Sequence, residues 1–325
     1  MKCERINLYE PEEYHYRHAF GFMPNLHTYL HEDSRSLPLV LVVPGGGYNY
    51  CSESESEITA RTFYRLGYQA AVLTYTCNLL FAEPLKEQPL RDIVRAVRLL
   101  RTNAEEFGID PKRIIVCGFS AGGHLSGTLA EYHDSIDDVR YPSVSAAPDR
   151  LILCYPVITS GEYGHHQSFE ALLGKDASEE ETDRMSLEKH VREDMCPVFL
   201  WQTAEDQAVP VENSYLMALA LRKKRIPFEH HVFPHGRHGL CVATEEWQKR
   251  TFAAAYSLEQ VKEVLAAVDR GEITADRDAV NGIRESYANR IDPDFVDRKK
   301  KANKEVAVWV DLADAWLKRS FAESE

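Results

Sequence analysis

Residues 114–125, Ile-Ile-Val-Cys-Gly-Phe-Ser-Ala-Gly-Gly-His-Leu, restrict this chain more than any other stretch. An apolar, β-branched run from Ile114 to Cys117 leads into Gly118-Phe119-Ser120-Ala121-Gly122, and a helix is expected from Gly123 onward. A residue at the tip of so sharp a strand-to-helix turn is held in a strained backbone conformation. The turn closes only where small residues stand two before and two after it. The serine hydroxyl then projects above the sheet, and the positive end of the following helix points at it.

The rest of the chain supplies the sheet that such a turn needs. Leu39–Val43, Ala70–Tyr75, Leu151–Tyr155, Val198–Gln202 and Phe228–Phe233 read as further strands. Between them lie helical patterns. Ile58–Leu66 closes at Gly67, Leu90–Arg101 carries apolar residues at 90, 93, 94, 97 and 100, and Asn213–Arg222 follows the Val198 strand. Strands separated by helices predict a mostly parallel sheet with helices on both faces. In such sheets, sites form at the carboxyl ends of the strands.

Two segments interrupt the alternation. Residues 161–191 read either as a small excursion over the sheet top or as a solvated loop. Residues 242–303 read as a helical insertion, with a capping box at Ser257-Leu258-Glu259-Gln260. Val261, Val264, Leu265 and Val268 follow on one helical face, and Gly271 is the stop. A second helix is expected over Ala275–Arg290, broken at Asp292-Pro293, and Lys299-Lys300-Lys301 reads as a solvated basic turn. A last helix, Lys304–Arg319, turns Val306, Trp309, Val310, Ala313, Trp316 and Leu317 inward. The whole chain, 1–325, is expected to form one domain.

Charge and cysteine usage exclude several roles. A net charge of −13 makes nucleic acid and anionic membrane surfaces poor partners. The seven cysteines are odd in number and include no C-x-x-C pair, which fits a reducing cytoplasm better than a disulfide scaffold. The first residues show no apolar signal segment, and no run approaches the length of a membrane span.

A serine hydroxyl is a poor nucleophile until a base lies within hydrogen-bonding reach and an acid fixes that base's tautomer. Asp206, just beyond the Val198 strand, is the candidate acid, with adjacent Glu205 as the competitor. His238, in the loop after the Phe228 strand, is the candidate base, with His235 as the competitor. His124 lies on the wrong side of Ser120, and His165, His166, His230 and His231 read as surface or packing residues. Stabilising an oxyanion takes backbone N–H donors. Ala121 offers one, and Gly46 and Gly47, in Pro44-Gly45-Gly46-Gly47-Tyr48 after the first predicted strand, offer the others. That run has neither the G-x-G-x-x-G spacing nor a Walker lysine, so it is no phosphate cradle. There is no H-E-x-x-H and no tight His/Cys/Asp cluster apart from these residues, so neither a metal nor another cofactor is expected. Tyr48, Tyr50, Tyr155 and Tyr163 suit stacking on a sugar face, and core packing explains tyrosines equally well.

Together, Pro44–Tyr48, Gly118–Leu125, Asp206-Gln207-Ala208-Val209-Pro210 and His238-Gly239-Leu240 resemble the α/β-hydrolase serine esterases. The likeness is to the acetyl xylan esterase-like bacterial branch related to the hormone-sensitive lipase group. It covers roughly 35–241 and the final helix. The resemblance implies Ser120 as nucleophile, Asp206 as acid, His238 as base, oxyanion donors at Gly46, Gly47 and Ala121, and Tyr48 beside the substrate. It also implies hydrolysis of short acyl esters, often acetyl groups on plant-polysaccharide sugars. A serine peptidase and a non-catalytic ligand-binding member of the same fold are the alternatives. Two departures stand out. Pro44 replaces the histidine that many relatives place before the glycines, and the 242–303 segment is extra. That segment is a candidate for altering substrate access or for building a homo-oligomer.

Overall fold

The computed structural model describes every residue except 34, 253, 293, 298, 299, 324 and 325. Its centre is an eight-stranded sheet. In chain order the elements are β1 Arg5–Asn7, β2 Asn25–Tyr29, β3 Leu37–Val43, α1 Glu57–Arg65, β4 Gln69–Thr74, α2 Gln88–Thr102, β5 Ile109–Phe119 and α3 Ala121–Tyr132. They continue as β6 Arg150–Cys154, α4 His166–Leu173, α5 Glu179–Arg184, α6 Leu187–His190, β7 Val198–Thr203, α7 Glu212–Lys224 and β8 Phe228–Phe233. The last are α8 Glu245–Gln248, α9 Glu259–Asp269, α10 Arg277–Ile291, α11 Lys304–Ala307 and α12 Trp309–Ala322. The strands lie in the order β1-β2-β4-β3-β5-β6-β7-β8. All neighbours from β4 to β8 are parallel, and β1 and β2 add an antiparallel edge.

The central strands are apolar at consecutive positions because both faces are covered. Leu39, Leu41 and Val43 of β3 pack with Ile114 and Val116 of β5 against Ile93, Val97 and Leu100 of α2 and Leu125 and Leu129 of α3. The intervening Val40, Val42, Ile115 and Cys117 face the other way, toward Phe63 of α1 and Trp309, Ala313, Trp316 and Leu317 of α12. The period of two splits one run of sequence between two cores.

Strands β3 to β8 agree with expectation to within a residue or two, except that β5 begins at Ile109, earlier than Ile114. Strands β1 and β2 were not foreseen. The first has three residues, and the second, Asn25-Leu26-His27-Thr28-Tyr29, sets Leu26 among polar residues, so neither shows an apolar run. The expected final helix is split at Val308 into α11 and α12.

Residues 161–191 are an ordered helical cover. Ser178 and Glu181 form a capping box at α5, and Leu187 packs so closely on α3 that a Cβ at Gly127 would lie 2.4 Å from it. Helices α9 and α10 share a small core of Leu258, Val261, Leu265 and Val280, which packs on Tyr50, Leu79 and Leu80. The capping box expected at Ser257 does not form. A 3₁₀ turn over Ala255–Leu258 precedes α9, and Gln260 instead accepts from the Cys77 amide (2.8 Å) and donates to its carbonyl (2.7 Å). Lys300 was expected in solvent but is only 6 % exposed, with Nζ 4.4 Å from the Trp247 ring centre. The expectations for Pro293 and Lys299 fall outside the described residues. No helix among the described residues is long and apolar enough to cross a membrane.

Candidate active site

Ser120 stands between β5 and α3 at φ 52°, ψ −118°, the strained conformation expected of a hydroxyl carried on a sharp reversal. The flanking glycines are required by close approach. A Cβ on Gly122 would lie 2.2 Å from the Val43 carbonyl oxygen, and one on Gly118 would lie 2.2 Å from Ser126 Oγ. The turn is fixed by two backbone bonds, Ser120 N–H to the Cys154 carbonyl (3.0 Å) and Val157 N–H to the Ser120 carbonyl (3.1 Å).

The three side chains expected to converge are in hydrogen-bonding contact. Ser120 Oγ lies 2.8 Å from His238 Nε2, and His238 Nδ1 lies 2.7 Å from Asp206 Oδ2. A carboxylate only accepts, so Nδ1 carries the ring proton and Nε2 is free to accept from the serine hydroxyl. The other Asp206 oxygen accepts from the amides of Ala208 and Val209, both at 3.0 Å. These two bonds leave Oδ2 to the imidazole. Tyr155 packs edge-on against the His238 ring with centroids 4.9 Å apart, which limits rotation of the imidazole.

The competing acid and base are paired with each other instead. Glu205 Oε1 lies 3.0 Å from His235 Nδ1, and Glu205 Oε2 accepts from the Gly236 amide at 3.2 Å. Their side chains are 58 % and 67 % exposed. Glu205 holds the His235 pKa up, and His235 holds that of Glu205 down, as a surface ion pair does.

Across from this array lies the glycine loop. Gly46 and Gly47 have φ of 119° and 65°, a region open to glycine at little cost. A Cβ on Gly46 would meet the Tyr50 carbonyl at 2.0 Å, and one on Gly45 would lie 2.9 Å from Ser120 Cβ, so the loop lies directly against the serine turn. Among the described residues, the amides of Gly46, Gly47 and Ala121 donate to no protein group. The Gly45 amide is taken by Glu55 Oε2 at 2.8 Å. Chemically, the arrangement combines a polarised hydroxyl, a braced imidazole and unclaimed N–H donors. No cluster of three or more metal-binding side chains occurs among the described residues.

A model of the family described as BD-FAE matches residues 26–221. Over 270 residues the chain is 47 % identical to endo-1,4-beta-xylanase B of Butyrivibrio fibrisolvens, a match covering 82 % of this chain and 42 % of that protein. It is 28 % identical over 210 residues to an acetylxylan esterase of Xylanibacter ruminicola, covering 63 % of this chain and 41 % of that one. The chain thus spans about two-fifths of the curated relatives' length. Among solved structures, an acetyl ester-xyloside bifunctional hydrolase from Caldicellulosiruptor lactoaceticus superposes with a TM-score of 0.69 at 38 % identity, over 80 % of this chain and 97 % of that one. The chain belongs to the BD-FAE family of α/β-hydrolase esterases.

Some residues of this site were not expected, and some expected ones stand elsewhere. Glu55 is buried beside the glycine loop and was missed, because Cys51-Ser52-Glu53-Ser54-Glu55-Ser56-Glu57 reads as a solvated stretch. Only its place in the segment that follows the glycines marks it. Tyr48 was expected beside the substrate. It is buried, and its hydroxyl donates to His124 Nδ1 at 2.8 Å. His124 Nε2 donates in turn to the Met185 carbonyl, and burial lowers the ring's pKa to about 4, so it stays neutral. Tyr155 is also buried, its hydroxyl 2.8 Å from Glu55 Oε1. Tyr50 is half-buried and held by Arg290, which leaves half-buried Tyr163 as the remaining stacking candidate of the four. His165 was read as a surface or packing residue, yet its ring lies 3.8 Å from where a Gly47 Cβ would stand, and its Nδ1 bonds Ser168 Oγ.

Proposed function

We propose that this esterase removes short acyl groups, acetyl foremost, from acetylated xylo-oligosaccharide-like carbohydrates through an acyl-enzyme on Ser120. The observation that carries the reading is the unbroken Ser120–His238–Asp206 relay facing free backbone amides. His238 Nε2 accepts the hydroxyl proton as Ser120 Oγ bonds to the ester carbon, and the carbonyl electrons move onto oxygen. The amides of Gly46, Gly47 and Ala121 hold that oxyanion. As it collapses, the bond to the alcohol breaks and His238 returns the proton to the leaving oxygen. Water then repeats the sequence on the acyl-enzyme and frees the acid and Ser120. Asp206 keeps the ring oriented and stabilises the imidazolium. The relay needs no cofactor.

The carbohydrate reading draws on the X. ruminicola acetylxylan esterase and the C. lactoaceticus acetyl ester-xyloside hydrolase, both similar to this chain. The test is acetate release from acetylated xylo-oligosaccharides beside a chain-length series of p-nitrophenyl esters. We expect acetate release from the oligosaccharides and faster cleavage of the acetyl than of long-chain esters. Aminoacyl-anilide cleavage without acetate release would instead mark a peptidase. Ligand binding unchanged by Ser120→Ala, with no hydrolysis in either protein, would mark a binding protein.

A further inference from the structure

Glu55 is a carboxylate with no part in the proton relay, yet it is 4 % exposed at the centre of the site. Both of its oxygens are used. Oε2 accepts from the Gly45 amide and Oε1 from the Tyr155 hydroxyl, each at 2.8 Å. The Tyr155 oxygen accepts in turn from the Cys241 amide at 3.0 Å, three residues beyond His238, and the Tyr155 ring packs on the His238 ring. One carboxylate thereby joins the glycine loop to the histidine loop. Gly45 is the contact that carries this to the serine. A Cβ there would lie 2.9 Å from Glu55 Oε2, 2.9 Å from Ser120 Cβ and 2.8 Å from the Phe119 carbonyl, so the backbone is seated between the carboxylate and the Ser120 turn.

A buried carboxylate is costly unless donors converge on it, and this one is built to receive two. We propose that Glu55 is a positioning residue for ester hydrolysis, holding the Gly45–Gly47 amides and the His238 ring in register around Ser120. The proposal rests on the serine-esterase reading above. An amide cannot replace the carboxylate fully. If a glutamine's oxygen accepts from the Gly45 amide, its NH₂ group faces the Tyr155 oxygen and the phenolic proton loses its acceptor.

The test is Glu55→Gln, Glu55→Ala and Tyr155→Phe, each measured with p-nitrophenyl acetate and with a phenylboronic acid, whose adduct with Ser120 copies the tetrahedral intermediate. Removing one oxyanion donor typically costs about 10²–10³ in kcat. On that scale we expect Glu55→Ala to lose about 10² in kcat, and Glu55→Gln and Tyr155→Phe roughly tenfold each. KM should move by less than about threefold, and boronate affinity should weaken by the same factor as kcat. A purely structural role would lower the melting temperature and leave the kcat per titrated serine and the boronate affinity unchanged. That result in the isosteric Glu55→Gln or in Tyr155→Phe overturns the proposal, even if Glu55→Ala fails to fold. A wild-type protein that cleaves no ester would instead strike at the esterase reading.

Discussion

The turns that present Ser120 and Asp206 are held by backbone groups beside them at the strand ends, whereas the glycine loop opposite them is held mainly by side chains from elsewhere in the fold. At the Ser120 turn, backbone bonds run to Cys154 and from Val157, and Gly122 and Gly123 are seated against Val43, Pro44 and Pro156. Asp206 is oriented by the amides two and three residues on, which take its Oδ1. The glycine loop depends on Tyr75, whose hydroxyl donates to the Pro44 carbonyl (2.8 Å), and on Asn78, whose amide donates to the Tyr48 carbonyl (2.8 Å). It depends too on Glu55 with Tyr155, and on Arg290 of α10. Arg290 donates to Glu53 Oε2 at 2.8 Å and to the Tyr50 hydroxyl at 2.7 Å, and lies over the Tyr50 ring. Helix α10 is therefore part of the loop's support. A reactive group can be specified by a few adjacent residues, but the donors that must face it are fixed by the fold as a whole.

The largest effect should come from breaking the local side at its acid. In Asp206→Asn, the side-chain oxygen is still needed by the Ala208 and Val209 amides, so the NH₂ group turns toward His238 Nδ1. The ring must then carry its proton on Nε2 and can no longer accept from Ser120. We expect kcat to fall about 10⁴-fold with the fold intact, measured with p-nitrophenyl acetate.

Breaking the remote side should cost less and should appear in stability as well as rate. Arg290→Ala leaves the buried Glu53 carboxylate without its cation and frees Tyr50. We expect a loss of about 1.5–3 kcal/mol in urea unfolding, the usual worth of a hydrogen bond to a charged group. A double-mutant cycle with Glu53→Gln should recover part of it.

The smallest effect sharpens the comparison through pH. Glu131, on the helix that follows the Ser120 turn, is buried, and among the described residues neither carboxylate oxygen has a hydrogen-bond partner. Burial, with Glu188 as a like-charged neighbour, pushes its pKa well up. A raised carboxyl pKa means that the folded protein holds a proton the unfolded chain has released. Stability is then full below the ordinary carboxylate value of about 4.3 and declines as pH rises through the folded value. Glu131→Gln should therefore raise the melting temperature at pH 8 more than at pH 5, with kcat unchanged. A larger gain at pH 5 would reverse the assignment.

The same division decided what could be read in the sequence. Ser120 and Asp206 each follow an apolar run at a strand end, His238 follows the Phe228–Phe233 strand, and the serine turn carries its glycines beside it, so these residues were legible. Glu55 was not, because its partners Gly45 and Tyr155 lie 10 and 100 positions away and its own surroundings alternate serine and glutamate. Lys300 was misread for a related reason. Its neighbours look solvated, and the Trp247 ring that covers it comes from another segment. Strands β1 and β2 escaped because the short edge of a sheet leaves too few apolar residues to show a period.

The central claim is that Ser120, deprotonated by the imidazole beside it, takes the acyl group of the ester. Rapid acid quench of the protein with p-nitrophenyl acetate, followed by peptide mapping in the mass spectrometer, reads this directly. The expected result is an acetyl group on the peptide bearing Ser120, formed in a burst and absent in Ser120→Ala, which turns over at least about 10⁴-fold more slowly. Full turnover by Ser120→Ala, or an acetyl group on another side chain that forms as fast as product, would contradict it.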